Sequence, residues 1–351
     1  MKIGILTFPK AINYGTALQA AALYKILSER SGDVFFVDHK CDAIERSNSI
    51  FDLRSAANPK YTLAHLLNLD IALKRRKNFS DFQQKNMRFS DAPFTDYDIV
   101  VAGSDQIWNY NLTGNDYKTF FLDFKNGKTK KAAYAGSFGL SKLDDNRKES
   151  IAALLSDFDF LSVREEQAAK IIDSLISKKP PVVVDPTLLL TKNDWEQLAD
   201  KKQDNGFIFV YTVFNDDALW NFAHSMSEKT GLPIKTISYS RLHRNDAQIS
   251  FTAGPAQWLD CMLNASVVIT NSFHGTAFSV NFHKDFYFNV PDNAKSVGSR
   301  LYDLTSRYGI SDRCLSAGAP QKDIDWSAVD EKLNRDRQMS LDFIDSFITA
   351  E

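Results

Sequence analysis

The chain has 351 residues, of which 44% are hydrophobic, and its formal net charge is −2. That length allows two ordinary domains with substantial cores, and the nearly balanced charge argues against a general nucleic-acid-binding protein, whose binding surface needs a basic excess. The three cysteines, Cys41, Cys261 and Cys314, are widely spaced and form no CxxC pair, so neither a disulfide framework nor a structural zinc site is indicated.

Residues 1–192 read as a first α/β domain. Short apolar runs predict strands at 2–6, 34–37, 99–102, 132–135, 160–163 and 182–184. Helical spacing of apolar residues predicts helices at 17–30, 63–87, 147–155 and 165–175, with Leu66 and Leu67 among the buried side chains. Thr16 is a candidate cap for the first helix.

Residues 205–327 read as a second α/β domain, after a polar linker around 191–206. Strands are predicted at 207–212, 234–238, 267–270 and 286–289, and helices at 216–229, 256–263 and 276–282. The segment 328–351 should form a terminal helix that packs back on the body. The fold class is therefore α/β, with two successive Rossmann-like, doubly wound domains.

The sequence favours a cytoplasmic protein without a membrane span. The apolar run at the N-terminus is far shorter than the core of a signal peptide, and no segment has the long uncharged apolar run of a spanning helix. The densest basic cluster, residues 74–77, is most simply a solvated helix end. A peripheral contact of this cluster with the inner face of a membrane stays open.

The segment TNSFHGTAF places His274 directly after a predicted buried strand and before a predicted helix. In open α/β sheets, ligands bind at the carboxyl ends of strands, and a helix start favours anions through its N–H groups and dipole. The position suits an acid–base group that faces a phosphorylated substrate. The alternative is a histidine that only bonds to the backbone.

Two loops of the first half also follow predicted strands. Asn13-Tyr14-Gly15 follows the first strand and is either a ligand loop or simply a turn. The loop from Gly103 to Asn109 combines the polar groups and the aromatic ring that a carbohydrate site uses, namely Ser104, Asp105, Gln106 and Trp108. The alternative is a packed loop with Trp108 in the core.

Several cations are candidates for binding an anionic group. Arg164 follows a predicted strand, so it could grip a carboxylate or phosphate, or pair with a neighbouring glutamate. Further candidates are Lys295, Arg300, Arg313, Arg241 and Arg244. Asp185-Pro186-Thr187 reads mainly as a rigid turn. The sequence has no convincing metal-ligand spacing, no Walker sequence and no GxSxG elbow.

These motifs in their order resemble the polysaccharide pyruvyl transferase family. The resemblance rests on NYGTALQAAAL, VVAGSDQIWN, AYAGSFG, LSVREEQAAKII, VVVDPTLLL, TNSFHGTAFSVNF and SRLYDL, and it covers residues 1 to about 310. It implies two domains that face a cleft in the GT-B manner. It also implies transfer of pyruvate from phosphoenolpyruvate to a sugar of a surface polysaccharide, exopolysaccharide or precursor as a ketal, with release of phosphate and without a cofactor or metal.

The resemblance also implies roles for individual residues. The family's essential histidine falls on His274, which would be the general acid, and its catalytic arginine falls on Arg164. A donor-binding lysine falls on Lys295, and Arg164 and Lys295 would clamp the donor. Some members have Arg-Leu where this chain has Ser272-Phe273, so a further phosphate-binding cation must be Arg300, Arg241 or Arg244, or be absent. Ser272, Gly275 and Thr276 would complete the donor site. The saccharide acceptor, free or lipid-linked, would be held by Asn13, Tyr14, Gly15, Ser104, Asp105, Gln106 and Trp108.

Two other functions stay open. One is a nucleotide-sugar-dependent glycosyltransferase, because the twin α/β architecture is shared and a fold alone does not determine function. The other is a saccharide-binding relative that has lost turnover, for which Ser272-Phe273 is the only sequence support.

Overall fold

The computed structural model describes residues 1–49, 66–125, 127–200, 206–238, 247–290, 295–318 and 323–350, with backbone alone at 47, 295–297, 299 and 317. The chain divides into two compact units. The first unit contains residues 1–48, 83–190 and 333–351, and the second contains residues 49–82 and 191–332. The most polar part of the predicted linker, residues 201–205, lies outside the described residues.

The first unit is built on a parallel six-stranded sheet in the order β3-β2-β1-β4-β5-β6. Its strands are β1 (Lys2–Leu6), β2 (Asp33–Val37), β3 (Phe89–Ser90), β4 (Ile99–Ala102), β5 (Lys130–Gly136) and β6 (Phe160–Val163). All four residues of β4 are buried, as expected of a strand covered on both faces. The strand order reverses between β1 and β4, and ligands of such sheets bind beside the carboxyl ends at that point.

The helices of the first unit begin with α1, which Asn13 caps. The Asn13 Oδ1 accepts a hydrogen bond from the Thr16 N–H at 3.1 Å, so the cap is Asn13 and not Thr16. The helices are α1 (Tyr14–Arg30), α2 (Asp42–Ser47), α4 (Tyr110–Thr113), α5 (Asp145–Ser156), α6 (Glu166–Ile176) and α7 (Pro186–Leu189).

The terminal helix, α13 (Trp326–Ile348), packs on the first unit from residue 333 onward. The Ser340 Oγ accepts a hydrogen bond from the Val184 N–H at 3.0 Å. The ring of Phe343 lies 6.5 Å from that of Tyr134. The predicted return of this helix onto the body is confirmed.

The second unit has a parallel five-stranded sheet in the order β11-β10-β7-β8-β9. Its strands are β7 (Ile208–Tyr211), β8 (Ile234–Ile237), β9 (Gln248–Ser250), β10 (Val267–Thr270) and β11 (Asp285–Phe288). The order reverses between β7 and β10, so the carboxyl end of β10 is again the expected place for a ligand. The prediction of two doubly wound α/β domains is confirmed.

The helices assigned to the second unit include α3, whose last four residues belong to the first unit. They are α3 (Leu69–Asn86), α8 (Lys192–Glu196), α9 (Asp217–Thr230), α10 (Pro255–Asn264), α11 (Phe273–Asn281) and α12 (Lys295–Tyr308). Within the described part of the chain, no helix is both long enough and apolar enough to cross a membrane.

Two further predictions about local structure were wrong. Residues 182–184 do not form a strand, since only Val182 bridges Val163 before Asp185 caps α7. Leu66 and Leu67 are 56% and 52% exposed, although their spacing suggested burial.

Candidate active site

In the second unit, side-chain hydrogen bonds tie the carboxyl ends of β7 and β10 together. The Thr270 Oγ1 donates to the Tyr211 carbonyl at 2.6 Å and accepts from the Ser272 N–H at 3.0 Å. Because Thr270 is the last residue of β10, these bonds fix the start of the segment that carries His274.

His274 lies in the first turn of α11, which starts three residues earlier than the sequence pattern predicted. Ser272 caps this helix, and its Oγ accepts from the Gly275 N–H at 3.3 Å. The His274 side chain is largely buried, with 9% exposure for the residue, and its ring meets the Phe273 ring edge-on at 5.2 Å. An imidazole is thereby held at the positive end of a helix, on the edge of the sheet where ligands bind.

Gly275 lets α11 approach β10 closely. A Cβ at this position would lie 2.4 Å from the Thr270 Oγ1, which is closer than real contacts allow. Thr276 follows with no exposed surface, and its hydroxyl makes no hydrogen bond within the part of the chain that the structure describes. The close packing of α11 on β10 is enough to explain why residue 275 is a glycine. Thr276, at the same helix start, has a hydroxyl with no hydrogen-bond partner among the described residues.

Replacing Gly275 with alanine should lower the free energy of unfolding by about 1–3 kcal/mol, because the added methyl group would force α11 away from Thr270. Chemical denaturation measures this change. Gly32→Ala is the matched control, since a Cβ there would have no neighbour within 4 Å. Equal stability of the two variants would contradict the close-packing argument.

The loop after β7, which contains Val213 and Phe214, was not among the sites predicted from the sequence, and Asn271 binds it. The Asn271 Oδ1 accepts from the Val213 N–H at 2.8 Å, and its Nδ2 donates to the Phe214 carbonyl at 3.0 Å. Val213 and Phe214 are each 43% exposed. Phe214, an aromatic residue three positions after the end of β7, was the available signal, and its bond with Asn271 places it beside the segment that leads to His274.

Of the five cations predicted for the second unit, the structure describes the side chains of two, Arg300 and Arg313. Arg300 is buried within α12. The Arg313 Nη1 lies 2.7 Å from the Asp285 Oδ1, at the amino end of β11, so Arg313 is on the wrong edge of the sheet for the predicted site. Burial raises the pKa of Asp285, and Arg313 opposes that rise. Arg241 and Arg244 and the side chain of Lys295 lie outside the described residues.

In the first unit, the structure brings the two predicted loops together at the carboxyl ends of β1 and β4. The Thr16 Oγ1 donates to the Asp105 Oδ2 at 2.7 Å, and the Thr7 Oγ1 donates to the Ser104 carbonyl at 3.1 Å. Asn13 is exposed, and the Asp105 side chain is 12% exposed. Polar groups from both loops therefore share one edge of the sheet.

Asp105 adopts a backbone conformation that is unusual for a residue with a side chain. Its φ is +79°, and its Oδ1 accepts from the Gln106 N–H at 2.9 Å. The Gln106 Oε1 in turn accepts from the Asn109 side chain at 3.1 Å. Strained backbone of this kind persists where surrounding contacts fix it, often at functional sites.

The two aromatic residues among the predicted acceptor residues, Tyr14 and Trp108, are fully buried. Trp108 has no exposed surface, its Nε1 donates to the Phe120 carbonyl at 3.1 Å, and its ring stacks on Phe121 at 5.3 Å. A Cβ at Gly136 would lie 2.5 Å from the Trp108 ring, so the backbone of Gly136 also packs closely against this ring. Trp108 cannot stack on a sugar here, and the alternative of a packed loop holds. Tyr14 is also fully buried.

Arg164 is buried among three carboxylates in the first unit. Its side chain is 2% exposed, and its Nη1 lies 2.9 Å from the Asp185 Oδ2 and 3.7 Å from the Asp105 Oδ1. Its Nε lies 3.5 Å from the Glu165 Oε2. Burial alone would lower the pKa of Arg164, but the three carboxylates outweigh it and raise that pKa. Arg164 is thus a buried cation that holds the Asp105 loop in place through its contacts with these carboxylates.

Asp185 connects Arg164 to Ser104 of the predicted acceptor loop. Its Oδ2 also accepts from the Ser104 Oγ at 3.2 Å, and its Oδ1 accepts from the Thr187 hydroxyl at 2.7 Å. The sequence suggested only a rigid turn at Asp185, because its partners are distant along the chain. Among the described residues, no group of histidine, cysteine, aspartate and glutamate side chains is arranged to hold a metal ion.

Comparison with solved structures finds similar architectures at low identity. The UDP-GlcNAc 2-epimerase of Methanocaldococcus jannaschii is 15% identical, with a TM-score of 0.48 over 97% of this chain and 93% of that chain. The UDP-GlcNAc 2-epimerase of Neisseria meningitidis bound to UDP-GlcNAc is 11% identical, with a TM-score of 0.46 over 100% and 95%. The E. coli heptosyltransferase WaaC with ADP-2-deoxy-2-fluoro heptose is 9% identical, with a TM-score of 0.36 over 83% and 89%.

A search of curated protein sequences finds no match to this chain. The sequence profile of the polysaccharide pyruvyl transferases, in contrast, matches residues 13–288. That range includes both loops of the first unit, the Arg164 network and the segment from β10 to α11. It covers well over half of the chain and confirms the resemblance drawn from the motifs: the chain belongs to the polysaccharide pyruvyl transferase family.

Proposed function

We propose that this protein transfers pyruvate from phosphoenolpyruvate to a sugar of a bacterial-type surface polysaccharide or exopolysaccharide, or its precursor, as a ketal with release of phosphate. The observation that carries the proposal is His274, held at the start of α11 on the ligand-binding edge of the second sheet, in a chain of this family. A cytoplasmic location would give access to phosphoenolpyruvate.

The chemistry needs a group that both gives and takes protons. The methylene carbon of phosphoenolpyruvate gains a proton, one sugar hydroxyl attacks C2, the bond from C2 to the phosphate oxygen breaks, and a second hydroxyl attacks C2. The two hydroxyl protons end on the new methyl group and on the released phosphate. A histidine titrates near neutral pH, so His274 can deliver the first proton and then accept one from a sugar hydroxyl.

The donor is proposed to lie against the start of α11. Ser272, Gly275 and Thr276 belong to this helix start, where the dipole favours a phosphate or a carboxylate. The buried Thr276 hydroxyl is a suitable hydrogen-bond donor to such an oxygen. Lys295 and Arg300 are the proposed cationic partners of the donor.

The acceptor is proposed to bind at the edge formed by Asn13, Gly15 and the loop with Asp105 and Gln106. The carboxylate and the amides match the hydroxyl groups of a sugar. The geometry supports Ser104 and Arg164 as positioning residues for this loop, because Ser104 and Arg164 both bond to Asp185 and are buried.

Ligand-dependent thermal unfolding tests the donor without knowledge of the acceptor. A ligand at about 100 times its dissociation constant adds roughly 2.7 kcal/mol to stability. Phosphoenolpyruvate should raise the unfolding midpoint, whereas nucleoside diphosphates should not. Stabilisation by nucleoside diphosphates alone would instead identify a glycosyltransferase. Binding of phosphoenolpyruvate without phosphate release over a broad panel of acceptors would identify a non-catalytic relative.

Phe214, which lies in the second unit beside the segment that leads to His274, is proposed as an aromatic contact for a sugar ring. Phe214→Ser should weaken use of the acceptor about three- to tenfold, since an aromatic contact contributes about 0.5–1.5 kcal/mol. The measurement is the KM for the acceptor, with Phe214→Tyr expected to restore it. Leu112→Ser is the control, because Leu112 is also 43% exposed. An unchanged KM in Phe214→Ser would remove this contact from the proposal.

A further inference from the structure

Helix α3 has a clearly defined buried face. Ile71 and Phe79 are each 2% exposed and Phe82 is 5% exposed. The Asn78 Nδ2 donates to the Thr252 carbonyl at 2.7 Å, so this side of the helix is fixed to the second unit. At 3.6 residues per turn, Leu73 and Lys77 then lie on the opposite side.

Leucines are exposed on that opposite side and just before the helix. Leu73 is 52% exposed, and Leu66 and Leu67, just before the helix, are 56% and 52% exposed. Single exposed apolar residues are ordinary, but three large ones within one short stretch form a patch of the kind that marks an interaction surface.

Basic residues border the leucines. Lys74, Arg76 and Lys77 are exposed on this helix. Two carboxylates share the region, namely the exposed Asp70 and Asp81, and Asp81 pairs with Lys77 at 2.5 Å. The positive charges still outnumber the negative ones, in a chain whose net charge is −2.

We propose that this surface, the α3 docking face (Leu66, Leu67, Leu73, Lys74, Arg76 and Lys77), binds an anionic lipid surface. Leucines flanked by lysine and arginine are typical of a helix that lies in the headgroup region, where the apolar side chains enter the lipid and the cations meet the headgroups. A second copy of the chain fits less well, since a two-fold contact would bring the same basic residues against each other.

This inference goes beyond the proposed function and does not depend on it, because binding to lipid is measurable without substrate. The experiment is cosedimentation of the full chain with vesicles of phosphatidylcholine, with and without phosphatidylglycerol. Binding should require phosphatidylglycerol and should weaken as salt is raised, since salt screens the exposed charges.

Two variants separate the charged and apolar contributions. Lys74→Ser/Arg76→Ser/Lys77→Ser should reduce vesicle binding about fivefold for each residue and about 100-fold in all. Leu66→Ser/Leu73→Ser should reduce it about tenfold. Lys142→Ser/Lys178→Ser/Lys179→Ser is the control, because it removes the same charge from exposed positions in the first unit and should leave binding unchanged.

Three results would overturn the inference. The first is absence of binding to phosphatidylglycerol vesicles. The second is an equal loss of binding in the control variant, which would point to overall charge. The third is a concentration-dependent dimer that Leu66→Ser/Leu73→Ser abolishes in the absence of vesicles, which would identify the α3 docking face as a contact between copies.

Discussion

Replacing His274 with glutamine should slow phosphate release from phosphoenolpyruvate about 100- to 10,000-fold, the range that general acid–base catalysis contributes. Glutamine keeps a polar side chain of similar reach at the start of α11 but cannot carry a titrating proton. The measurement is kcat with phosphoenolpyruvate and a saccharide acceptor at saturation. A rate within about threefold of the wild type would remove His274 from the proton-transfer role.

His283→Gln is the control for this experiment. The His283 Nε2 lies 2.7 Å from the Asp330 Oδ1, its ring stacks on Trp326, and its side chain is 43% exposed. Its loss should leave kcat unchanged. Phosphoenolpyruvate should still raise the unfolding midpoint of His274→Gln, because we expect the rest of the helix start and the cations to hold the donor. Loss of that rise would show that His274 binds the donor as well.

The sequence predicted the buried strands best. The bounds of β4, β6 and β10 match the predicted ones, because strands that are buried on both faces are short, continuous apolar runs. The edge strand β9 was missed, since its three residues include only one apolar side chain and are not buried.

The sequence was less informative about which polar residues are accessible. Trp108 and Arg164 both follow predicted strands, which made both of them plausible contacts for a ligand. The structure instead covers Trp108 with Phe121 and Gly136, and Arg164 with Asp185 and two other carboxylates. The adjacent Glu165 was an expected partner of Arg164, but the other partners lie 13 to 59 residues away along the chain, so local pattern cannot reveal them.

The Arg164 network gives the second large expected effect. Arg164→Met should lower the free energy of unfolding by about 3–5 kcal/mol, because it leaves the carboxylates of Asp105, Glu165 and Asp185 buried without their cation. Chemical denaturation measures the loss. The control is Lys25→Met, since the exposed pair of Lys25 with Glu29 should contribute about 1 kcal/mol or less.

A double variant tests whether the loss of stability comes from the carboxylates that are left without a cation. Adding Asp185→Asn to Arg164→Met removes one of the stranded charges, so the double variant should be more stable than the sum of the two single changes predicts.

If Arg164 only positions the Asp105 loop, the folded Arg164→Met protein should keep its stabilisation by phosphoenolpyruvate while its KM for the acceptor rises. The opposite pattern, loss of phosphoenolpyruvate binding with an unchanged KM for the acceptor, would return Arg164 to the donor site that the family resemblance suggested. The two outcomes differ because a buried guanidinium acts on substrate through the residues it holds, whereas a donor clamp must touch the phosphate or the carboxylate itself.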